Sequence, residues 1–246
     1  LPTHADTDAD YWTLHHILTW LLISLPMALF LGLASRDSRL AATGVPPYAF
    51  ALIFGLATPV LTYASVFFSH ALAGILIASA FMLVRGFPEP RSELSRRRAF
   101  VAGLLASFAV VTEYPTILLA AVVSIALVAD RRNRPALAAF AGGALLGAVP
   151  LLLYNKAAWG SFLTTGYAFK ATPEHAAIHA QGAFGVVWPT WHRLEGVLFS
   201  ARRGLLFFCP LLLCVPLGWR RRWKVNRLDV TLSVIATLGY TAFAAG

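Results

Sequence analysis

Ionisable side chains set into long apolar runs are costly at membrane depth, so they are functional suspects wherever they occur. His70, in Phe67-Phe68-Ser69-His70, opens one apolar run, and Glu113, followed by Tyr114, closes another. An imidazole and a carboxylate are the groups used for general acid–base work at a reacting hydroxyl. Tyr63, Tyr154 and Asn155 lie at equivalent boundaries. The reading is that these five polar groups, from four helix ends, share one layer. The plainer alternative for each is interfacial: tyrosines belong in aromatic belts, and a lone histidine at a helix start is often only capped or solvated.

A long polar stretch, 155–203, holds the second set. Arg202 and Arg203 form a pair able to bind phosphate bidentately, with snorkelling to lipid headgroups as the alternative. Tyr167, Lys170, Trp188 and Trp191 mix aromatic and basic character with glycines, as a loop resting on a membrane and stacking on sugar faces would. His175 and His179 stand four apart, the spacing of two zinc ligands on one helix face, but without an evident third ligand. Asp6, Asp8 and Asp10 alternate near the start and would serve as divalent-ion ligands, as a base, or only as a solvated linker. No resident cofactor is expected beyond a divalent cation at one of these weak sets. Cys209 and Cys214 lie in one apolar run and read as small buried thiols.

The elements that must position these residues are membrane spans. The chain of 246 residues is 58% hydrophobic and 13% charged, against roughly 25% charged in soluble domains. Eight apolar stretches, 11–34, 46–62, 68–84, 99–114, 115–129, 136–154, 204–218 and 228–246, point to an all-α polytopic transmembrane bundle. The whole chain reads as a single transmembrane domain, with 155–203 as one loop of about 49 residues. Arginine and lysine concentrate in 35–45, 85–98, 130–135 and 219–227, every second connection. Such loops face the cytoplasm, which puts both termini, His70, Glu113 and 155–203 outside. Arg202 and Arg203 break the rule. The net charge of +9 is accordingly read as topogenic arginine beside anionic lipid headgroups, not as a nucleic-acid footprint.

In order along the chain, Thr58-Pro59, Tyr63, Phe67-Phe68-Ser69-His70-Ala71, Glu113-Tyr114-Pro115, Tyr154-Asn155, Trp159-Gly160-Ser161, Thr165-Gly166-Tyr167 and Arg203-Gly204-Leu205 with Pro210 form a series. Covering nearly the whole chain, it resembles a bacterial branch of the GT-C glycosyltransferase superfamily. These polytopic proteins are similar to protein O-mannosyltransferases, aminoarabinose transferases and RgtA-type lipopolysaccharide glycosyltransferases. The resemblance implies an integral protein of the bacterial inner membrane with its active site on the periplasmic face. Its partners would be membrane lipids and a polyprenyl-phosphate sugar donor, and the sugar would pass with inversion to a lipid, glycan or protein acceptor. In that family a carboxylate of the first external loop usually serves as base. The expectation is that this chain is a piece beginning after that loop, so that the main base lies upstream and the enzyme is the full-length protein. Within the chain, Glu113 is the best-placed carboxylate, and His70 would orient or protonate a phosphate. Arg202, Arg203 and Lys170 would meet the leaving phosphate, and Tyr63, Tyr154, Asn155 and Tyr167 would line the substrate. The competing readings are a transporter or flippase, whose ionisable groups would lie near the bilayer midplane at broken helices, and a non-catalytic membrane protein.

Overall fold

The computed structural model describes residues 4–37, 44–86, 93–166, 186–202 and 204–246, with side chains from residue 10 onward. The described residues form helices joined by short turns, with no strand among them.

The first helix, α1 (His4–Thr19), passes through a π-helical turn (Trp20–Ser24) into α2 (Leu25–Ala34). Pro26 has no N–H for the Leu22 carbonyl, and a wider turn absorbs that loss. Ser24 secures the turn from outside, donating its hydroxyl to the Ala64 carbonyl at 2.7 Å. The expected span at 46–62 is instead two pieces, α3 (Pro47–Leu56) and α4 (Val60–Ala64). Pro59 ends the first ladder. Thr58 bridges the gap, its hydroxyl donating to the Phe54 carbonyl at 2.6 Å and accepting the Val60 N–H at 3.3 Å. Ten helical residues rise only about 15 Å, half of a ~30 Å hydrocarbon core.

Next come α5 (Ser69–Val84) and α6 (Arg96–Thr112). Ser95 caps α6 by accepting the Arg98 N–H at 3.3 Å. A 3-10 turn (Tyr114–Thr116) leads into α7 (Ile117–Ala129), and a second (Arg131–Ala136) into α8 (Leu137–Trp159). Gly160, at φ 73°, stops α8 in the left-handed conformation that favours glycine. Further on lie α9 (Trp191–Phe199), α10 (Leu205–Phe208), a 3-10 turn (Pro210–Cys214), α11 (Val215–Trp223) and α12 (Arg227–Ala244). The expected span 204–218 is thus also broken. Cys209 leaves the helical region (φ −138°, ψ 70°), and Pro210 cannot bond back. Cys209 is buried, but Cys214 is exposed, which corrects the reading of two buried thiols.

Among the described residues, two helical stretches are long and apolar enough to cross a membrane: Asp10–Ala34 (25 residues, mean hydropathy 2.2) and Arg131–Trp159 (29 residues, mean hydropathy 2.1). Ser69–Val84 and Tyr114–Ala129 are apolar but shorter.

Small residues make up much of the interior: Ala99, Ala102, Ala106 and Ala109 of α6 are all buried, beside Val123, Leu127 and Leu232. Many large apolar residues face out, with Leu145 71%, Leu153 59% and Leu238 61% exposed. Such a surface suits a hydrocarbon surrounding, where helices associate through close contact of small residues. The tightest pairing is α6 on α8. A Cβ on Gly103 would strike the Phe140 carbonyl, and one on Gly143 would strike the Phe100 carbonyl. These two glycines let the helix backbones touch. A second, smaller cluster (Ile23, Met27, Ala64, Ala71, Ile75) ties the first helix to α4 and α5.

Candidate functional site

The two ends of α5 and α6 carry different chemistry. At one end, His70 sits in the first turn of α5 and Glu113 is the residue on which α6 ends. Glu113 is held by its backbone. Its N–H reaches the Ala109 carbonyl at 2.9 Å, and its carbonyl accepts the Thr116 N–H at 3.0 Å and the Thr116 hydroxyl at 2.7 Å. Pro115 suits the tight turn that follows, where a missing N–H costs nothing. So fixed, the Glu113 carboxylate accepts a hydrogen bond from His70 Nδ1. The side chains are unequally covered: Glu113 is 15% exposed and His70 51%. With Nδ1 committed to the carboxylate, Nε2 is the ring nitrogen left for another partner.

Aromatic rings collar the imidazole. Phe68 meets it edge-on at 4.7 Å between centroids, and Tyr63 at 6.3 Å. Beside His70 opens an apolar cavity of about 280 Å³ between α2, α3, α4 and α5, lined by Met27, Phe30, Phe54, Tyr63, Gly74 and Ala78 among others. From His70 to Ala78 it follows α5 for about 12 Å. Tyr240, near the end of α12, lies within electrostatic reach of Glu113. In the sequence it reads only as part of the last apolar run; its signal was a single phenol about four residues before the end of α12.

The other expected site residues divide. Tyr154 is 62% exposed on α8. Asn155 is 3% exposed. Its Nδ2 donates to the Phe162 carbonyl at 3.2 Å, folding the turn after α8 back over the helix end, while its Oδ1 is buried without a partner. Only Tyr63, His70 and Glu113 of the five expected polar groups are joined by described contacts. Arg202 is exposed. Arg203, Tyr167, Lys170, His175 and His179 lie outside the described residues, as do the side chains of Asp6 and Asp8; Asp10 is exposed. Among the described residues no three His, Cys, Asp or Glu side chains are grouped to hold a metal ion.

The opposite end gathers three of the arginine-rich connections. Arg85, just past α5, donates from Nε to Asp229 in the first turn of α12, and both side chains are largely covered, at 11% and 17% exposure. Asn226 caps α12 by accepting the Asp229 N–H at 3.1 Å, and its Nδ2 donates to the other Asp229 oxygen at 2.8 Å. Asn133 accepts the Leu94 N–H at 3.1 Å. A small polar cavity of about 130 Å³ lies among them, with Arg98 and Arg222 facing Glu93 and Asp130.

Against known proteins, no family model matches the chain, and neither a curated protein nor a solved structure matches it.

Proposed function

We propose that the chain is the membrane-embedded part of a glycosyltransferase of the GT-C kind, moving a sugar from a polyprenyl-phosphate donor to an acceptor hydroxyl. The observation that carries this reading is the His70–Glu113 pair at the mouth of an apolar cavity, at the end of the bundle away from the arginine clusters. Arginine-rich ends face the cytoplasm, so the pair belongs to the periplasmic face of a bacterial inner membrane. The eight apolar stretches form the spanning layer, with 46–62 and 204–218 entering it as broken elements.

The geometry supports a division of labour. The covered Glu113 orients the ring through Nδ1, and Nε2 of His70 takes the proton of an incoming hydroxyl; the resulting Nε2–H can then donate to the departing phosphate. The cavity beside it suits one apolar chain lying along α5, and Tyr63 offers a ring face at the reacting level. Transport is favoured by one observation, the two broken helices, a feature of many transporters. Against it, the carboxylates and arginines of the described bundle sit at helix ends, and His15 and His16 are the ionisable exceptions within the Asp10–Ala34 helix.

The test is sugar transfer by the full-length protein from defined polyprenyl-phosphate sugars. Transfer that falls at least about 10²-fold in His70→Ala and in Glu113→Gln fits the reading. Wild-type rates in both variants would remove the pair from the chemistry, and absence of transfer by the unaltered protein from every such donor would overturn the reading.

A further inference from the structure

The run Arg220-Arg221-Arg222 does not act as one patch, because helical geometry splits it. Successive residues of α11 turn by about 100°, so Trp219 and Arg222 share one side, while Leu217, Arg220, Arg221 and Lys224 share the other. Contacts agree with that division. Trp219 donates from Nε1 to the Ser233 hydroxyl at 3.0 Å, fastening α11 to α12. Arg222 lines the polar cavity that also holds Glu93, Asp130 and Asp229, where three guanidinium groups meet three carboxylates.

The opposite side of α11 is unbalanced. A cleft of about 690 Å³ is lined by Cys214, Leu217, Gly218, Arg220, Arg221 and Lys224. Three cations and no carboxylate line it among the described residues. All six described lining residues come from the stretch 214–224, so the cleft is a hollow along one helix face, open on its far side. Polarity is graded along it. Cys214 and Leu217 stand on the side of the apolar run, and Lys224 stands at the helix end toward the polar connection. A ligand that fits must present a negative headgroup to the cations and an apolar body to Leu217. Gly218 leaves open space beside the helix backbone, since a Cβ there would meet nothing within 4 Å.

We propose that this cleft is a binding site for an anionic phospholipid of the cytoplasmic leaflet, its phosphate held by Arg220, Arg221 and Lys224 and its upper acyl region lying against Leu217 and Cys214. The assignment rests on the membrane orientation given under Proposed function, and not on sugar transfer. Generic topogenic arginines would be equivalent. Here one is matched to acids, and two, with a lysine, are turned to a shaped cleft. Basic clusters at the cytoplasmic end of a membrane helix are a recognised form of anionic-headgroup site.

The test titrates the purified chain in detergent with phosphatidylglycerol or with phosphatidylcholine of the same acyl chains, counting bound lipid by native mass spectrometry. The expected result is a preference of tenfold or more for phosphatidylglycerol, falling about fivefold per charge removed and abolished in R220Q/R221Q/K224Q. Arg222→Gln should keep it. Equal binding of the two lipids, or a preference that survives in the triple variant, overturns the proposal. So does full displacement of phosphatidylglycerol by equimolar inorganic phosphate, which would make this a site for a free anion. Cys214 supplies a readout independent of how well the triple variant folds. Phosphatidylglycerol should slow its maleimide labelling several-fold in the unaltered protein, with phosphatidylcholine inert, and an unchanged rate overturns the placement. In sealed vesicles of known orientation, labelling of Cys214 by an impermeant maleimide from the periplasmic side would overturn the leaflet. Failure of sugar transfer, by contrast, would leave all these results standing.

Discussion

Each end of α5 carries one charged or ionisable contact to a distant helix, and the two are built differently. At the Arg85 end, both carboxylate oxygens of Asp229 are engaged, by Arg85 and by Asn226, and both members of the ion pair are largely covered. At the His70 end, the carboxylate is covered but its partner is half exposed, with one ring nitrogen uncommitted and a cavity alongside. A closed, fully bonded pair holds helices in register. An open pair with a spare ring nitrogen can do work on a ligand. The same helix thus carries a covered clasp at one end and a half-open pair at the other, about 22 Å apart along α5.

This contrast can be broken by exchanging the expected consequences. Asp229→Ala removes the carboxylate that the covered Arg85 Nε donates to, which costs about 3–5 kcal/mol. A thermal unfolding midpoint in detergent that does not move would show that the clasp holds nothing. His70→Ala should lose about 10²-fold in sugar transfer, equivalent to about 2.7 kcal/mol of barrier, with the melting midpoint within a degree or two of the parent. A large drop in midpoint would make the open pair a clasp as well. Between the ends, Gly143→Ala drives a methyl group into the Phe100 carbonyl and should cost about 1–3 kcal/mol through overpacking. If the α6–α8 seam is what separates the two roles, that variant lowers stability and transfer together. The smallest expected effect is Asn226→Ala, about 1 kcal/mol for a lost cap, measured as a shift in denaturation midpoint that the uncharged cap in Asn226→Ser partly restores.

Much of the helical layout could be read directly from residues. Alternating arginine clusters and apolar runs located α5, α6, α7 and α12 to within three residues, whereas α8 runs five residues past the expected end at 154, into the expected loop, and stops only at Gly160. Breaks inside apolar runs were not legible. Thr58-Pro59 and Cys209-Pro210 look hydrophobic or neutral to a hydropathy count, yet the imino acid removes a donor, and the chain leaves the helix there. His70 and Glu113 were legible as suspects by depth and polarity. That they touch depends on the 3-10 turn at Tyr114–Thr116, a matter of a few dihedral angles. Asp229 was missed because it falls in the first turn of a long apolar segment, where an acid is ordinary helix chemistry. The pattern Asn226-x-x-Asp229 marked only the helix start, and nothing local named Arg85, 144 positions away. Asn155 was placed in the open layer on polarity alone, whereas its amide is spent on fastening the turn after α8.

The π-helical turn at Trp20–Ser24 has a further consequence. Such a turn amounts to one additional residue within an α-helix, so every position before it is rotated by about 100° relative to an uninterrupted helix. His15, whose ring meets Phe67 at 5.6 Å next to the His70 collar, faces the bundle only because of that offset. Shortening the run by a single residue between Trp20 and Ser24 would leave its hydropathy unchanged and swing His15 toward the surroundings. For this helix, then, residue count carries information that composition does not, and a one-residue gap in the middle of the run would mean a change of face.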